Sequence, residues 1–485
     1  MGSGEPPILA AGAQRSSRLH VGARRTLCSP ALPVRMLQRM SFDRVMKFGG
    51  AALADGPGVE RVCALVREQG GARPVLVVSA HQGVTEMLET VARSAAEGIL
   101  EGDRVRIRHR TILRQLGLDG ELLDRHFSEF FSLLDGVQQR RKLALEERDM
   151  ALSFGERMSA RIVAQALRAR GVLATPVDAF DLGLTSDSSF GNARPLDDSL
   201  GAVRAALEQV TGIPVVTGFL AKDRQGNLTT LGRNGSDLTA ALVAEAVGAS
   251  ELQLWKTVGG LMTADPKLVP DARVIERLGF AEAAEYAFHG AEVLHGAALA
   301  PARRAGITVR LLDVNQPDAA GTRLDPETRD HGPCGIAARK RVARVLIALG
   351  PESDRPARLA EVFNAFARQR VEVGPLRHTG EHLSLLAAPG ASLDAALAEL
   401  GRKARAEGEL ALVALIGRHV GDGALADKAV RVLLEAGIEP IESHVGARDL
   451  SQAFLVRAAD LERAARALHG ALLGRATAGM AARGG

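Results

Sequence analysis

The sequence predicts an α/β protein: a doubly wound, three-layer, mostly parallel sheet followed by two ferredoxin-like α+β units. Three observations carry that expectation. Across residues 44–325, short β-rich runs alternate with helical patterns, the order of a parallel sheet flanked by helices. Several of these runs are apolar at consecutive positions, as strands covered on both faces require. Over 340–405 and 408–475 the pattern changes to β-α-β-β-α and runs twice, the mark of a duplicated ferredoxin-like unit.

Taken in order, the first strand is expected at 45–48. Val59, Val62, Cys63 and Val66 then recur at the spacing of a helix buried along one stripe. A strand at 75–78 follows. Residues 100–150 break the rhythm with charged, helix-favouring sequence and read as a helical insertion, before strands resume at 172–177, 213–217, 252–255 and 307–312. The first repeated unit has a strand at 342–349, a helix at 356–368, strands near 371 and at 383–386, and a helix at 393–403. The second has a strand at 410–416, a helix at 424–436, strands at 439–443 and 453–456, and a helix at 460–472.

Composition narrows the function classes. The chain has 485 residues, 46% apolar and 24% charged, an ordinary globular balance that excludes wholesale disorder. Aromatics are only 3%, so the core is built from Ala, Leu and Val. No apolar run is long enough to span a membrane. Cys28, Cys63 and Cys334 lack the spacing of a zinc site or a redox pair, which points to a reducing compartment. The net charge of +4 sits in the N-terminal extension, where seven Arg up to Arg44 oppose only Glu5 and Asp43. The body is close to neutral and makes no case for nucleic acid. Residues 1–43, Arg-rich and acid-poor with Ser16, Ser17 and Ser29, have the composition of an organelle transit peptide. The alternatives are a disordered leader or sequence upstream of a start at Met36 or Met40. A cytoplasmic location is the default expectation, with a plastid or other organelle if the leader is a transit peptide.

Three glycine-containing segments carry chemistry. In R-V-M-K-F-G-G-A-A at 44–52, a strand end delivers Lys47 and then Gly49 and Gly50, whose backbone N–H groups could approach a phosphate, unless this is only a tight βα turn. T-L-G-R-N-G-S-D-L-T-A at 230–240 opens a helix; Ser236 and Asp237 suit an N-cap, while Arg233 and Asp237 also supply a cation for an anion and an acid to orient a lysine. L-W-K-T-V-G-G-L-M-T-A-D-P-K at 254–267 exposes Lys256 and Thr257 at a strand end, where open α/β sheets bind nucleotides. G-x-x-x-x-G-K-[ST], G-x-G-x-x-G, H-E-x-x-H, the protein-kinase set and G-x-S-x-G are absent from the sequence, so a nucleotide enzyme here needs another scaffold.

Together and in this order, the segments resemble the aspartate kinases of the amino acid kinase family. The matching stretches are K-F-G-G at 47–50, V-V-S-A-H-Q-G-V-T at 77–85, F-G-E-R-M-S at 154–159, F-G-N-A-R-P at 190–195 and T-G-F-L at 217–220. L-G-R-N-G-S-D at 231–237, L-M-T-A-D-P-K-L-V-P-D-A-R at 261–273 and G-A-E-V-L-H at 290–295 follow. The resemblance covers about 44–475, because that family also ends in paired ACT domains, which are ferredoxin-like. It implies an amino acid kinase catalytic domain over 44–325 and ACT domains over 340–405 and 408–475. The implied activity is ATP-dependent phosphorylation of L-aspartate to 4-phospho-L-aspartate, at the head of lysine, threonine, methionine and isoleucine synthesis.

The resemblance also assigns residues. Lys47 matches the lysine on the transferring phosphoryl group, Gly49 and Gly50 match the phosphate loop, and Asp237 matches the acid that orients the catalytic machinery. Thr85, Glu156, Phe219, Arg233 and Ser236 fall on the aspartate-binding set, and Lys256, Thr257 and Lys267 on the nucleotide contacts. Mg²⁺ arrives with ATP, and no protein metal site is expected. Physical chemistry agrees: aspartate's β-carboxylate is ionised at neutral pH and needs positioning and charge neutralisation rather than a general base. Arg233 could grip the α-carboxylate with its planar fork, and Glu156 could accept the α-ammonium. For Glu156 the alternative is a capping box with Ser153; for Thr85 it is a simple helix start. His81, His289 and His295 read as structural.

The sequence departs from the family pattern at Ala51 and Ala52, where hydroxyl residues are usual, at Lys256-Thr257, Met262, Asn234 and Gly296, and at Glu292 in place of a lysine. Lys256 is expected to supply the cation lost at Glu292. The ACT pair implies feedback inhibition by lysine, threonine or both, with contacts near 350–354 and 421–425, and a homodimer or homotetramer through these domains. A cut after Thr322 should remove inhibition. Rival readings are a non-catalytic amino-acid sensor and a kinase for another amino acid, such as glutamate.

Overall fold

A computed structural model describes residues 42–68, 73–290, 296–326, 332–446 and 450–474. The expected leader up to Ser41, Cys28, and Glu292 and His295 lie outside the described residues.

Among the described residues, eleven strands build the N-terminal part. They are β1 (Arg44–Phe48), β2 (Pro74–Val78), β3 (Ala174–Val177), β4 (Thr185–Ser186), β5 (Ile213–Thr217), β6 (Leu220–Asp223), β7 (Leu228–Thr230), β8 (Glu251–Lys256), β9 (Arg277–Gly279), β10 (Thr308–Asp313) and β11 (Thr322–Asp325). Eight of them form one sheet in the order β3-β5-β2-β1-β8-β10-β11-β9. The pairs from β3 to β10 are parallel, and β11 lies antiparallel to β10. Alternate side chains go to opposite cores. Met46, Phe48, Leu76 and Val78 pack against helices Gly56–Glu68, Val84–Glu97, Asp103–Gln115, Asp124–Arg140 and Leu145–Ala169. Val45, Val75, Val77, Leu252 and Leu254 pack against Leu200–Gln209, Gly235–Val247 and Gly296–Arg304. The three layers are those expected, and 100–150 is indeed helical. The small β4-β6-β7 sheet was not foreseen, because its strands are two to four residues long, too short for an alternation signal.

The strand order reverses at β1: β2 lies on one side and β8 on the other. At such a switch point the connections leave to opposite faces and a crevice opens beyond the carboxyl ends of the strands. The carboxyl ends of β1, β2, β5 and β8 supply K-F-G-G, S-A-H, T-G-F and W-K-T to this one rim.

The C-terminal third is one antiparallel sheet of β12 (Gly332–Ala348), β13 (Val373–His378), β14 (His382–Ala387), β15 (Ala404–Arg418), β16 (Glu442–Val445) and β17 (Ser451–Arg457), ordered β13-β14-β12-β15-β17-β16. The two ferredoxin-like units share their central strands. The second half of β12, Ala343 to Ala348, pairs with β14, while its first half, Gly332 to Arg339, pairs with the part of β15 that runs beside β17. Helices Arg355–Arg368 and Ala391–Leu400 cover Val345, Ile347, Leu383 and Leu385; helices Gly423–Glu435 and Leu461–Leu473 cover Ala411, Val413, Leu415 and Phe454. β12 therefore begins well ahead of the expected 342, since G-P-C-G at 332–335 conceals a strand under residues of low β-propensity. The cut expected after Thr322 also needs correction. It would strip β11 from the main sheet and take away the segment that follows Thr322, whose hydroxyl accepts the Leu261 N–H at 2.8 Å.

The N-terminal and C-terminal parts share a continuous core. Phe280, Ala283 and Tyr286 of helix Phe280–Phe288 belong to the same buried cluster as Leu412, Ala414, Ile416, Ala453 and Leu455 of the C-terminal sheet.

Candidate active site

At the crevice, Lys47 leaves the end of β1 and meets Asp237 of helix Gly235–Val247 at 2.5 Å, Nζ to Oδ1. Lys256, the last residue of β8, reaches the other oxygen of the same carboxylate at 3.2 Å. Lys47 and Asp237 are 6% and 4% exposed, so this is a nearly dry cluster with one net positive charge. Burial alone would raise the Asp237 carboxyl, but the attraction of Lys47 and Lys256 outweighs it and holds the group at about 2. Burial lowers the Lys256 ammonium, against the pull of Asp237. A cationic, water-poor pocket aimed out of a sheet's carboxyl edge suits polyphosphate.

Gly49 and Gly50 follow Lys47 directly. The Gly49 N–H donates to Trp255 O at 3.3 Å, which ties the loop to β8. A Cβ on Gly50 would fall 2.8 Å from Ala80 O, so only glycine lets this loop lie against the loop after β2. Ala52 is fully buried in the core below, and Ala51 is exposed.

Glu156 approaches from helix Leu145–Ala169. Ser153 lies inside that helix and bonds Met150 O, so the capping-box alternative is excluded. Glu156 is 3% exposed; its Oε1 accepts the Ala80 N–H at 3.1 Å, and Oε2 has no partner. Burial pushes its carboxyl up to about 8, opposed by the Ala80 amide and the charge of Lys47. An unpartnered carboxylate oxygen, costly to ionise alone, is ready for a cationic ligand group.

The remaining candidates frame the same crevice. Phe219 follows β5 with a φ of 69°, and its N–H donates to Thr239 Oγ1 at 3.0 Å. Gly218 presses on Ser236, where a Cβ would come within 2.5 Å of the serine Cβ. Arg233 is exposed in the turn before the helix; Asn234, where the family has glycine, sits at φ 57°, a conformation that Asn tolerates. Thr85 is half-buried in the first turn of Val84–Glu97, and Thr257 is exposed beyond Lys256. Lys267 sits on the loop beyond Lys256, where its N–H donates to Asp265 Oδ1 at 2.9 Å. That loop also packs on the C-terminal sheet. Ala264, Leu268 and Val269 pack in the core of the second ferredoxin-like unit, Thr263 Oγ1 lies 2.9 Å from His469 Nε2, and Arg466 donates to Leu268 O at 2.8 Å.

His81 is structural, as expected. It is buried, its Nδ1 contacts Leu53 O at 2.7 Å, and burial with the neighbouring His109 holds it down at about 3. His289 is buried beside Ser451. Sequence reasoning missed the Ala80 amide, which bonds Glu156, and Asp149, a wholly buried acid.

Residues 44–313 match the amino acid kinase family. The chain is 31% identical to aspartokinase 2, chloroplastic, of Arabidopsis thaliana, over 88% of this chain and 84% of that protein. The crystal structure of E. coli aspartokinase III in complex with aspartate and ADP, in its R-state, superposes with a TM-score of 0.77 at 30% identity, covering 89% of this chain and 99% of that one. The same enzyme in complex with lysine and aspartate, in its T-state, gives a TM-score of 0.73 at 31% identity, over 89% and 100%.

Proposed function

The chain belongs to the amino acid kinase family and is an aspartate kinase, and from that premise we propose how its residues divide the reaction. It transfers the γ-phosphoryl group of ATP to the β-carboxylate of L-aspartate, giving 4-phospho-L-aspartate. The observation that carries the residue assignment is the Lys47–Asp237–Lys256 cluster at the switch point, with the unpartnered oxygen of Glu156 beside it.

The nucleophile is already an anion, so the site's work is to hold two negative groups together and to neutralise charge on the phosphoryl oxygens. Lys47 does so for the transferring group, with the backbone at Gly49 and Gly50 against the phosphates. Asp237 does not act as a base: held at about 2, it stays ionised and fixes both ammonium groups. Lys256 and Thr257 face the nucleotide, with Lys267 at the outer edge of that side. Arg233 takes the substrate's α-carboxylate and Glu156 its α-ammonium, while Thr85, Phe219 and Ser236 shape the pocket between them. Mg²⁺ is carried by the nucleotide phosphates and supplies further charge neutralisation. Asp237, the acid at the crevice, is already engaged by two lysines.

The C-terminal sheet binds an amino-acid effector, lysine or threonine, and joins subunits into a dimer or tetramer. The lysine complex of the E. coli relative supports the first part. Among the described residues no helix is long and apolar enough to cross a membrane. We place the enzyme in the cytoplasm, with import of the 1–43 leader into isolated plastids as the deciding assay. The reaction itself is tested by trapping acyl phosphate with hydroxylamine. Aspartate- and ATP-dependent hydroxamate, lost in Lys47→Met, is expected; equal product from that variant would remove Lys47 from the mechanism.

A further inference from the structure

We propose that Asp149 is a positioning residue that sets the span between Glu156 and Arg233, and with it the fit of the amino-acid substrate; this rests on the roles given above to those two side chains. Helix Leu145–Ala169 carries both Asp149 and Glu156. Their separation is two helical turns, so both carboxylates lie on one face, about 10 Å apart along the axis. Glu156 faces the crevice, and Asp149 holds the segment that delivers Arg233.

The contacts are specific. Asp149 Oδ2 accepts the Thr230 N–H and the Gly191 N–H, each at 2.8 Å, and Oδ1 accepts the Thr230 hydroxyl at 3.0 Å. Thr230 ends β7, and the turn that bears Arg233 begins at the next residues. Gly191 belongs to F-G-N-A-R-P, a segment that also braces the turn: the Ala193 N–H donates to Thr230 O at 2.9 Å, and a Cβ on Gly232 would come within 2.3 Å of Asn192 Oδ1. From the opposite side, the Leu231 N–H donates to Phe219 O at 2.9 Å. Three donors converge on Asp149, and a carboxylate is the side chain that accepts all of them while offering no proton of its own. The helix is thus a rigid rod with the ammonium acceptor at one point and the brace of the carboxylate clamp at another.

The test is steady-state kinetics on the full chain, with KM measured separately for L-aspartate and ATP. Asp149→Ala is expected to raise the aspartate KM about tenfold while the ATP KM stays within about twofold. Asp149→Asn keeps an oxygen for both backbone N–H groups and should return the aspartate KM to within about threefold of wild type. Thr230→Val removes only the hydroxyl bond, should raise the aspartate KM about threefold, and carries the test alone if Asp149→Ala does not fold. A rise in both KM values together, no change in the aspartate KM of Thr230→Val, or failure of Asn to rescue would overturn the proposal. Arg233→Leu and Glu156→Gln serve as references. If they leave the aspartate KM at its wild-type value, the underlying roles fail and the proposal falls with them, which separates that failure from a failure of the span alone.

Discussion

Glu156 gives the enzyme a pH dependence whose size follows from its surroundings. Its carboxyl stands at about 8 in the free protein because burial outweighs the Ala80 amide and the charge of Lys47. Only the ionised form can pair with the substrate's α-ammonium. At pH 6 about one molecule in a hundred is ionised, and at pH 8 about half, so kcat/KM for aspartate should climb about fiftyfold between these values and level off above pH 9. Initial rates at sub-saturating aspartate, with ATP saturating, measure this directly. Glu156→Gln should give a lower and flat profile. A wild-type profile that is flat from pH 6 to 8, or a Gln variant that keeps the slope, would refute the reasoning. Stability runs the opposite way. A carboxyl raised on folding from 4.5 to about 8 binds its proton more tightly in the native state, so its contribution is full below pH 4.5 and is lost as pH rises towards 8. The loss is on the order of 5 kcal/mol, and chemical denaturation of wild type against Glu156→Gln across that window should show it.

Asp237→Asn leaves Lys47 and Lys256 facing each other without their shared counter-ion; kcat should fall about a hundredfold or more, and urea melts should show a cost of about 3 kcal/mol. Lys256→Met should raise the ATP KM about tenfold with a smaller effect on the aspartate KM; unchanged ATP affinity and turnover would remove Lys256 from the nucleotide side. Phe454→Ala empties a fully buried site between β17 and its helices and should cost about 3–5 kcal/mol, read as one shifted transition in calorimetry because the cores are joined. A chain ended after Pro326 keeps β11 but bares Phe280, Ala283 and Tyr286; it should bind a hydrophobic dye and aggregate rather than behave as a deregulated kinase.

Most of the strands and the helical insertion were legible because buried parallel strands are written as continuous apolar runs such as P-V-L-V-V, with every residue of β2 buried. The crevice was legible because Lys47 and Asp237 sit in local patterns at a strand end and a helix start, whereas Glu156, inside its helix, was singled out by the F-G-E-R match alone. What escaped depended on distance in sequence. Nothing near Asp149 signals that it accepts bonds from residues 191 and 230, since a buried acid and an exposed one look alike in a helical run. Gly332 to Cys334 fell outside every expected element because their strand character comes from pairing with β15, not from their own side chains. Nothing in the local sequence shows that Leu268 and Val269, beside Lys267, pack in the core of the second ferredoxin-like unit.

The shared central strands also set a limit on protein engineering. Each half of β12 and β15 completes a different unit, so neither unit exists as a separable cassette. Exchanging one of them for a sensor of another metabolite would hand its neighbour foreign strands and a foreign bend at Arg339 to Arg344. A graft that retunes this enzyme has to move the whole six-stranded sheet together with the 261–273 loop seated in it, or else rewrite specificity by point substitution in place.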